Sequence, residues 1–559
     1  MMADVPEHWV STTILEIAEL VRGVTYKKEQ ARDESGPGLV PLLRANNINH
    51  RLLLNDQLVY VPVDVVKDSQ RLRPNDVVLA MSSGSKSVVG KSARFHGAEE
   101  TFTFGAFCGV LRPSPDIDST YFALALQSPV YRRYVSTVAA GVNINNLRRA
   151  HLEDYRIPVP PLVEQQAIAA KVEALFSELD AGVAQLEAAQ ALLKRYRQSV
   201  LRAAFEGRLT AEWREQRRRE AEAGGEELPT AEDLLEQIEA ERQERAEQQH
   251  AEWRRAAQAW EAAGGKDSGE KKPRRPARPK DPPPLTEEEL ASLPELPEGW
   301  AWARCASLTS VDVGFAFKSA QFANEGVRLL RGDNIEPGRT RWKNQKCWPA
   351  EMLEGFEHLL LNEGEIVLAM DRPLISSGFK IARVSKSDLP ALLVQRMARF
   401  KPAGAVDTAY LYHQLQSERS IQHLVGSQTG TQLPHISGGG IEALPVALCH
   451  PVEQMALMDE LEQRMSVVAD LERTIDDSVA QAHALRRSIL KRAFEGRLLD
   501  EAELEAVRSH PDYEPADRLL ERIRERAAAQ SKTKKQTKKK TTRTTRSARK
   551  NTGTPQETT

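Results

Sequence analysis

Apolar residues recur at spacings of three and four along two long stretches of this chain. One stretch carries Ile168, Val172, Leu175, Leu179, Leu186, Leu193, Tyr196 and Val200; the other carries Leu457, Leu461, Val468, Leu471, Ile475, Leu485 and Ile489. That spacing lines them along one stripe of an α-helix, with the repeat of a coiled-coil seam. Each stretch begins behind proline, at Pro158 and Pro160-Pro161 or at Pro451, and each closes on the word Phe-Glu-Gly-Arg-Leu, at 205–209 and 494–498. Proline suits a first helical turn and glycine a left-handed cap, so both predicted helices carry their own start and stop signals. Of the fourteen positions in 196–209 and 485–498, nine are identical, and the offset from Glu164-Gln165 against Glu453-Gln454 to Gly207 against Gly496 stays at 289. Neither helix has gained or lost a residue relative to the other, which implies that their length is constrained.

Ahead of each helix the pattern changes to short β-like runs and turns. The first such stretch opens at Glu7-His8-Trp9 and the second at Glu298-Gly299-Trp300. Asp76-Val77-Val78-Leu79-Ala80-Met81 is echoed by Glu365-Ile366-Val367-Leu368-Ala369-Met370, Leu43 to Ile48 by Leu330 to Ile335, and Gly141 to Ile144 by Gly430 to Leu433. The whole unit therefore repeats, yet 82–104 and 371–394 share far less than the helices do. The predicted fold is α+β with an internal two-fold repeat: a mixed α/β domain over 1–161, a helix over 162–209, a second mixed domain over 298–450 and a second helix over 451–498.

The intervening 210–297 reads as a charged helical insert running into a linker at 264–285, too rich in Pro, Gly and charge to bury a core. Leu234-Leu235-Glu236-Gln237-Ile238 recurs after the second helix as Leu519-Leu520-Glu521-Arg522-Ile523. This places a short helical segment over 499–530, either a solvated amphipathic helix or one that docks a partner. The end, 531–559, reads as a disordered basic tail: 531–550 has no acidic residue, which suits either contacts to phosphate or solubility.

Composition narrows the classes. A chain of 559 residues with 41% apolar residues suffices for several folded domains. No apolar run is long enough to span a bilayer, and the start, Met-Met-Ala-Asp-Val-Pro-Glu, lacks the regions of a signal peptide, so a cytoplasmic location is expected. The four cysteines, Cys108, Cys305, Cys347 and Cys449, form no CxxC pair and read as inert thiols. The formal charge of −2 argues against a uniformly basic DNA-coating protein.

No catalytic word is present. Gly84 to Ser92 resembles a phosphate-binding loop but has five residues between its glycines where that loop has four. Asp281-Pro282-Pro283-Pro284 lacks the aromatic residue that an amino-methyltransferase motif needs, and His8, His50, His96 and His151 lie on unrelated segments. What remains is polar and basic. Arg44, Asn46, Asn47, Ser83, Lys86, Lys91, Asn143 and Asn145 in the first half are the side-chain types that read base edges and grip phosphate. So are Arg331, Asn334, Arg372, Lys380, Thr431, Gln432 and His435 in the second. Residue by residue, the alternative is that Asn and Gly here build turns.

The duplicated order, the proline-rich helix starts, the Glu-Gln pairs and the two Phe-Glu-Gly-Arg-Leu words resemble the specificity subunits of type I restriction-modification enzymes, over roughly 7–209 and 298–500. The resemblance implies that the mixed domains are target-recognition domains, each reading one half of a split, asymmetric site in double-stranded DNA. It implies that the two helices pack antiparallel as a coiled-coil spacer. It also implies two methyltransferase subunits, carrying S-adenosylmethionine and bound through the helices, and two translocating nuclease subunits, carrying ATP and magnesium. This chain itself would hold no cofactor and catalyse nothing. The rival readings are a coiled-coil scaffold without sequence-specific binding, against which the diverged inserts argue, and a self-contained modifying enzyme, against which the missing catalytic words argue. The 210–297 insert and the basic tail depart from the family pattern.

Overall fold

The computed structural model describes residues 5–139, 144–264, 271–276, 282–426 and 435–529. The basic tail, half of the 264–285 linker, and Asn143, Thr431 and Gln432 lie outside the described residues. The chain forms two compact units, Met1–Glu187 with Asp476–Thr559, and Ala188–Ile475. This differs from a simple division into first and second halves: the described residues up to 187 and from 476 onward form the first unit, and each long helix, Leu162–Phe205 and Pro451–Phe494, contributes to both.

In the first unit an antiparallel sheet has the strand order Ala18–Arg22, Cys108–Pro113, Val77–Ala80, Ser92–Arg94. A second sheet orders Val59–Pro62, Leu39–Leu43 and Thr103–Phe104, the last pair parallel. The run Val77-Val78-Leu79-Ala80 is apolar at every position because it divides two cores. Val77 and Leu79 face one containing Trp9, Ile14, Tyr121 and Phe122, while Val78 and Ala80 face another containing Leu43, Phe95 and Phe104. Side chains alternate across a strand, so a strand covered on both faces must be apolar throughout. The second unit has a sheet in the order Thr309–Val313, Met397–Pro402, Ile366–Ala369, Ile381–Arg383. Its run Ile366-Val367-Leu368-Ala369 divides two cores in the same alternation.

The Glu-Gln pair at each helix start is a fastening. In the first unit Trp9 Nε1 donates to Glu164 at 2.9 Å, and Gln165 accepts from the Asp118 N–H at 3.0 Å while donating to the Pro160 carbonyl at 2.9 Å. In the second, Trp300 donates to Glu453 at 2.9 Å, and Gln454 accepts from the Asp407 N–H and donates to the Cys449 carbonyl at 2.9 and 2.8 Å. The closing words are fastenings too. Gly496 (φ 67°) presses on Pro6 and Gly207 (φ 70°) on Pro297, so tightly that a Cβ would stand 2.3 and 2.4 Å from the two Pro Cγ atoms. Phe494 meets Tyr121 at a ring distance of 5.1 Å, and Phe205 meets Tyr410 at 5.3 Å.

The apolar stripes are only partly buried. Ile168, Val172 and Phe176 pack with Ile489, Leu490 and Phe494 in the first unit, and Val200, Leu201 and Phe205 with Leu457, Met458 and Leu461 in the second. Tyr196, Leu471 and Leu485, expected in the seam, are about half exposed. They belong to none of the buried clusters, which gather at the helix ends where the sheets supply partners.

The repeated Leu-Leu word also differs from one expectation. Leu519, Leu520 and Ile523 are buried in the core of the first unit, on a helix over 516–529 whose Arg522 and Arg526 pair with Asp116 at 3.3 and 2.6 Å. Leu234 and Ile238, on helix Ala231–Ala262, are buried in the second unit, and Arg242 caps the Ala306 and Ser307 carbonyls. Both apolar faces are thus covered by the chain itself rather than left to solvent.

Candidate nucleic-acid interface

The end of each central strand makes a node with two other segments. In the first unit the Met81 and Ser82 N–H groups donate to the Phe107 carbonyl at 2.8 and 3.1 Å, and the Leu147 N–H donates to the Met81 carbonyl at 2.7 Å. Asn145 and Asn146 pair with Ser83 and Ser82, and Ser82 Oγ donates to Asn146 Oδ1 at 3.0 Å. In the second unit the Met370 N–H donates to the Arg396 carbonyl at 2.9 Å, the Ile436 N–H to the Met370 carbonyl at 2.8 Å, and Asp371 bridges His435. Each corresponding pair is separated by the same 289 positions: Ser82 and Asp371, Phe107 and Arg396, Asn146 and His435. One backbone arrangement therefore carries two chemistries.

In the first unit the node borders a cleft of about 820 Å³. Arg44, Asn46 and Ser83 line it, together with Tyr26, Lys28, Phe107 and Ile144. Phe107 and Ile144 are 68% and 58% exposed, so together they put apolar surface on the cleft wall. Arg44 Nη2 donates to the Gln57 carbonyl at 3.0 Å and Asn46 to the Gln57 side chain at 3.1 Å, which steadies both. Lys86 is exposed and Lys91 half-buried, and neither lines the cleft.

Two asparagines expected to face DNA are structural instead. Asn47 is buried, accepting from the Arg44 N–H and donating to the Asp56 carbonyl at 2.6 Å. Asn334 is buried likewise, accepting from the Arg331 N–H and donating to the Arg341 carbonyl. A buried amide so engaged has no edge to present, and each holds its loop shut. Asn145 is also buried, its amide on the Ser83 and Gly84 carbonyls, so it shapes the cleft rim. Arg331 donates to the Asn344 carbonyl at 2.9 Å.

In the second unit Asp371 accepts from Arg396 and from His435 Nδ1, the latter at 2.6 Å. Burial raises the Asp371 pKa, but the bonds from His435 and Arg396 outweigh it and hold the carboxyl below its usual range. Arg372 is exposed with φ 45°, and Arg396 is exposed with φ 63°. Lys380 is buried, which lowers its pKa despite the nearby Asp333. Tyr26, Lys28, Phe107, Asp371 and Arg396 were not singled out from sequence. For Phe107, Asp371 and Arg396 the signal was available in the constant offset: positions 289 apart in a repeated frame, with unlike chemistry.

All four cysteines are buried free thiols, and burial pushes those of Cys108 and Cys305 up to about 12. Among the described residues no group of His, Cys, Asp and Glu is placed to hold a metal ion, and no helix is long and apolar enough to cross a membrane.

Residues 6–188 match the sequence model of the type I restriction modification DNA specificity domain. The chain is 48% identical over 209 residues to the EcoKI specificity subunit of Escherichia coli (strain K12), covering 37% of this chain and 45% of that one. It is 46% identical over 205 residues to the StySPI specificity subunit of Salmonella potsdam, covering 37% and 44%. The chain thus spans less than half the length of these curated relatives. A chain solved in a study of complex assembly and conformational transition of the type I R-M system superposes with a TM-score of 0.55, over 88% of this chain and 99% of that one, at 14% identity, a likeness of fold. Residues 6–188 thus carry the type I restriction modification DNA specificity domain, and over that part the chain is similar to the specificity subunits of type I restriction enzymes.

Proposed function

We propose that this chain is the sequence-specific DNA-binding subunit of a type I restriction-modification complex, each unit reading one half of a bipartite, asymmetric site in double-stranded DNA. The observation that carries this reading is the pair of nodes, where the same backbone bonds present Ser82, Phe107 and Asn146 in one unit and Asp371, Arg396 and His435 in the other. A frame held constant while its exposed side chains change is what two recognition modules with different targets require. A scaffold has no use for such divergence.

On this reading the chain is non-catalytic. Methyltransferase subunits carrying S-adenosylmethionine, and nuclease subunits carrying ATP and magnesium, would act where it binds. The two long helices, each of 44 residues, would run antiparallel as a spacer between the half-sites. Exposed Leu192, Tyr196, Val467 and Leu471 supply apolar surface for a methyltransferase partner. Arg44, Asn46, Ser83, Lys86 and Lys91 would contact DNA from the first unit and Arg372 from the second.

The test is selection of bound duplexes from a randomised pool, using the purified chain with its methyltransferase partner. Enrichment of two short words at a fixed separation supports the reading. A bound pool no different from the input would overturn it.

A further inference from the structure

We propose that Arg396 is a base-reading residue of the second unit, held by Asp371 to take a guanine through the bidentate pattern of its O6 and N7. The inference rests on the DNA-recognition reading and sharpens it to one side chain and one base.

Three observations converge. The first is position: Arg396 occupies the node place that Phe107 occupies in the first unit, and both are exposed, Arg396 with 67% of its side chain in solvent. The second is support. One arm of the guanidinium is on Asp371, which is itself gripped by His435 at 2.6 Å. A guanidinium has five donors in a rigid fork, so one arm on a carboxylate fixes the plane and leaves donors for a ligand with two adjacent acceptors. In the major groove guanine offers that pair, and an arginine fork fits it better than any other side chain does.

The third observation is strain. Arg396 and Arg372 both have positive φ, 63° and 45°, where only glycine sits without cost. Two exposed arginines, one next to Asp371 in sequence and the other bonded to it, hold a conformation that costs the fold something, while Phe107 at the matching place is not among the positive-φ residues. Strain of this kind persists where surrounding structure imposes it, and it gathers at functional sites. The same logic predicts that Phe107 meets an apolar feature, such as a thymine methyl group, in the other half-site.

The experiment compares selected or methylated sites for the wild-type complex and for Arg396→Gly, Arg396→Lys and Asp371→Asn. Glycine relieves the strain while removing the fork, so Arg396→Gly should melt no lower than wild type. It should nonetheless lose roughly ten- to hundred-fold preference for guanine at one position of one half-site, with the other half-site unchanged. Arg396→Lys keeps the charge but not the fork and should lose the same preference; Asp371→Asn should weaken it. Base preferences unchanged in Arg396→Gly would overturn the proposal, as would a uniform loss of binding across all sequences, which marks a phosphate contact. If the wild type itself enriches no site, it is the DNA-recognition reading that fails.

Discussion

Trp300 donates its indole N–H to Glu453 across 2.9 Å, and that carboxylate also accepts from Thr210 at 2.7 Å and from Arg214 at 2.8 Å. The tryptophan opens the second mixed domain, the glutamate begins the second long helix, and Thr210 and Arg214 follow the end of the first. One buried carboxylate thus ties three stretches of chain distant in sequence. Glu164 does the corresponding work in the first unit with Trp9 and His8.

Replacing Glu453 by alanine should therefore destabilise the second unit by about 3 kcal/mol, because it strands a largely buried guanidinium and an indole donor. Melting followed by hydrogen exchange checks this. Protection should fall around Trp300 and Thr210 while the first unit's sheet keeps its own, and equal loss in both units would contradict it.

Two glycine-to-alanine changes should have opposite signs. Gly496 has φ 67° and its Cβ would collide with Pro6, so Gly496→Ala should cost about 2 kcal/mol. Gly182 lies within a helix with open space where its Cβ would go, so Gly182→Ala should stabilise by about 0.5 to 1 kcal/mol. Chemical denaturation of both variants reads the difference directly.

Burial depresses the His413 pKa from 6.5 to about 4. The folded protein binds the neutral imidazole and the unfolded chain binds its proton more readily. Stability is therefore fully present above pH 6.5 and falls as pH drops toward 4, by about 3 kcal/mol at most. His413→Phe should flatten this part of the stability profile of the second unit, and an unchanged slope between pH 6.5 and 4 would show that other groups set it.

The spacer reading predicts a change in site geometry. A seven-residue insertion keeps the apolar seam in register and adds about 10 Å of helix, on the order of three base pairs. Matching heptads placed near Val183 and Glu472 should lengthen the unspecified gap while leaving both half-sites as they were. Mapping of methylated positions decides it, and a gap of unchanged length would refute the spacer.

Much of this protein was legible in its sequence because it rests on local signals and on repetition. The two helices, their starts and their glycine stops follow from apolar period and turn chemistry, and the constant offset marked Glu164 and Glu453 before any contact was known. The runs Val77 to Ala80 and Ile366 to Ala369 read as short β-like stretches, and the structure shows why they are apolar throughout: each divides two cores. Tertiary structure decided the rest. Asn47 and Asn334 look like base readers by residue type, but folding turns their amides onto loop carbonyls, and only burial reveals which role wins. Tyr196, Leu471 and Leu485 fit the helical stripe, yet a stripe is buried only where something packs on it. Arg396 lies 25 residues from Asp371, and His435 lies 64 from it. Sequence period reports neighbours along an element, whereas a node of three segments exists only once the sheet has closed and brought their side chains together.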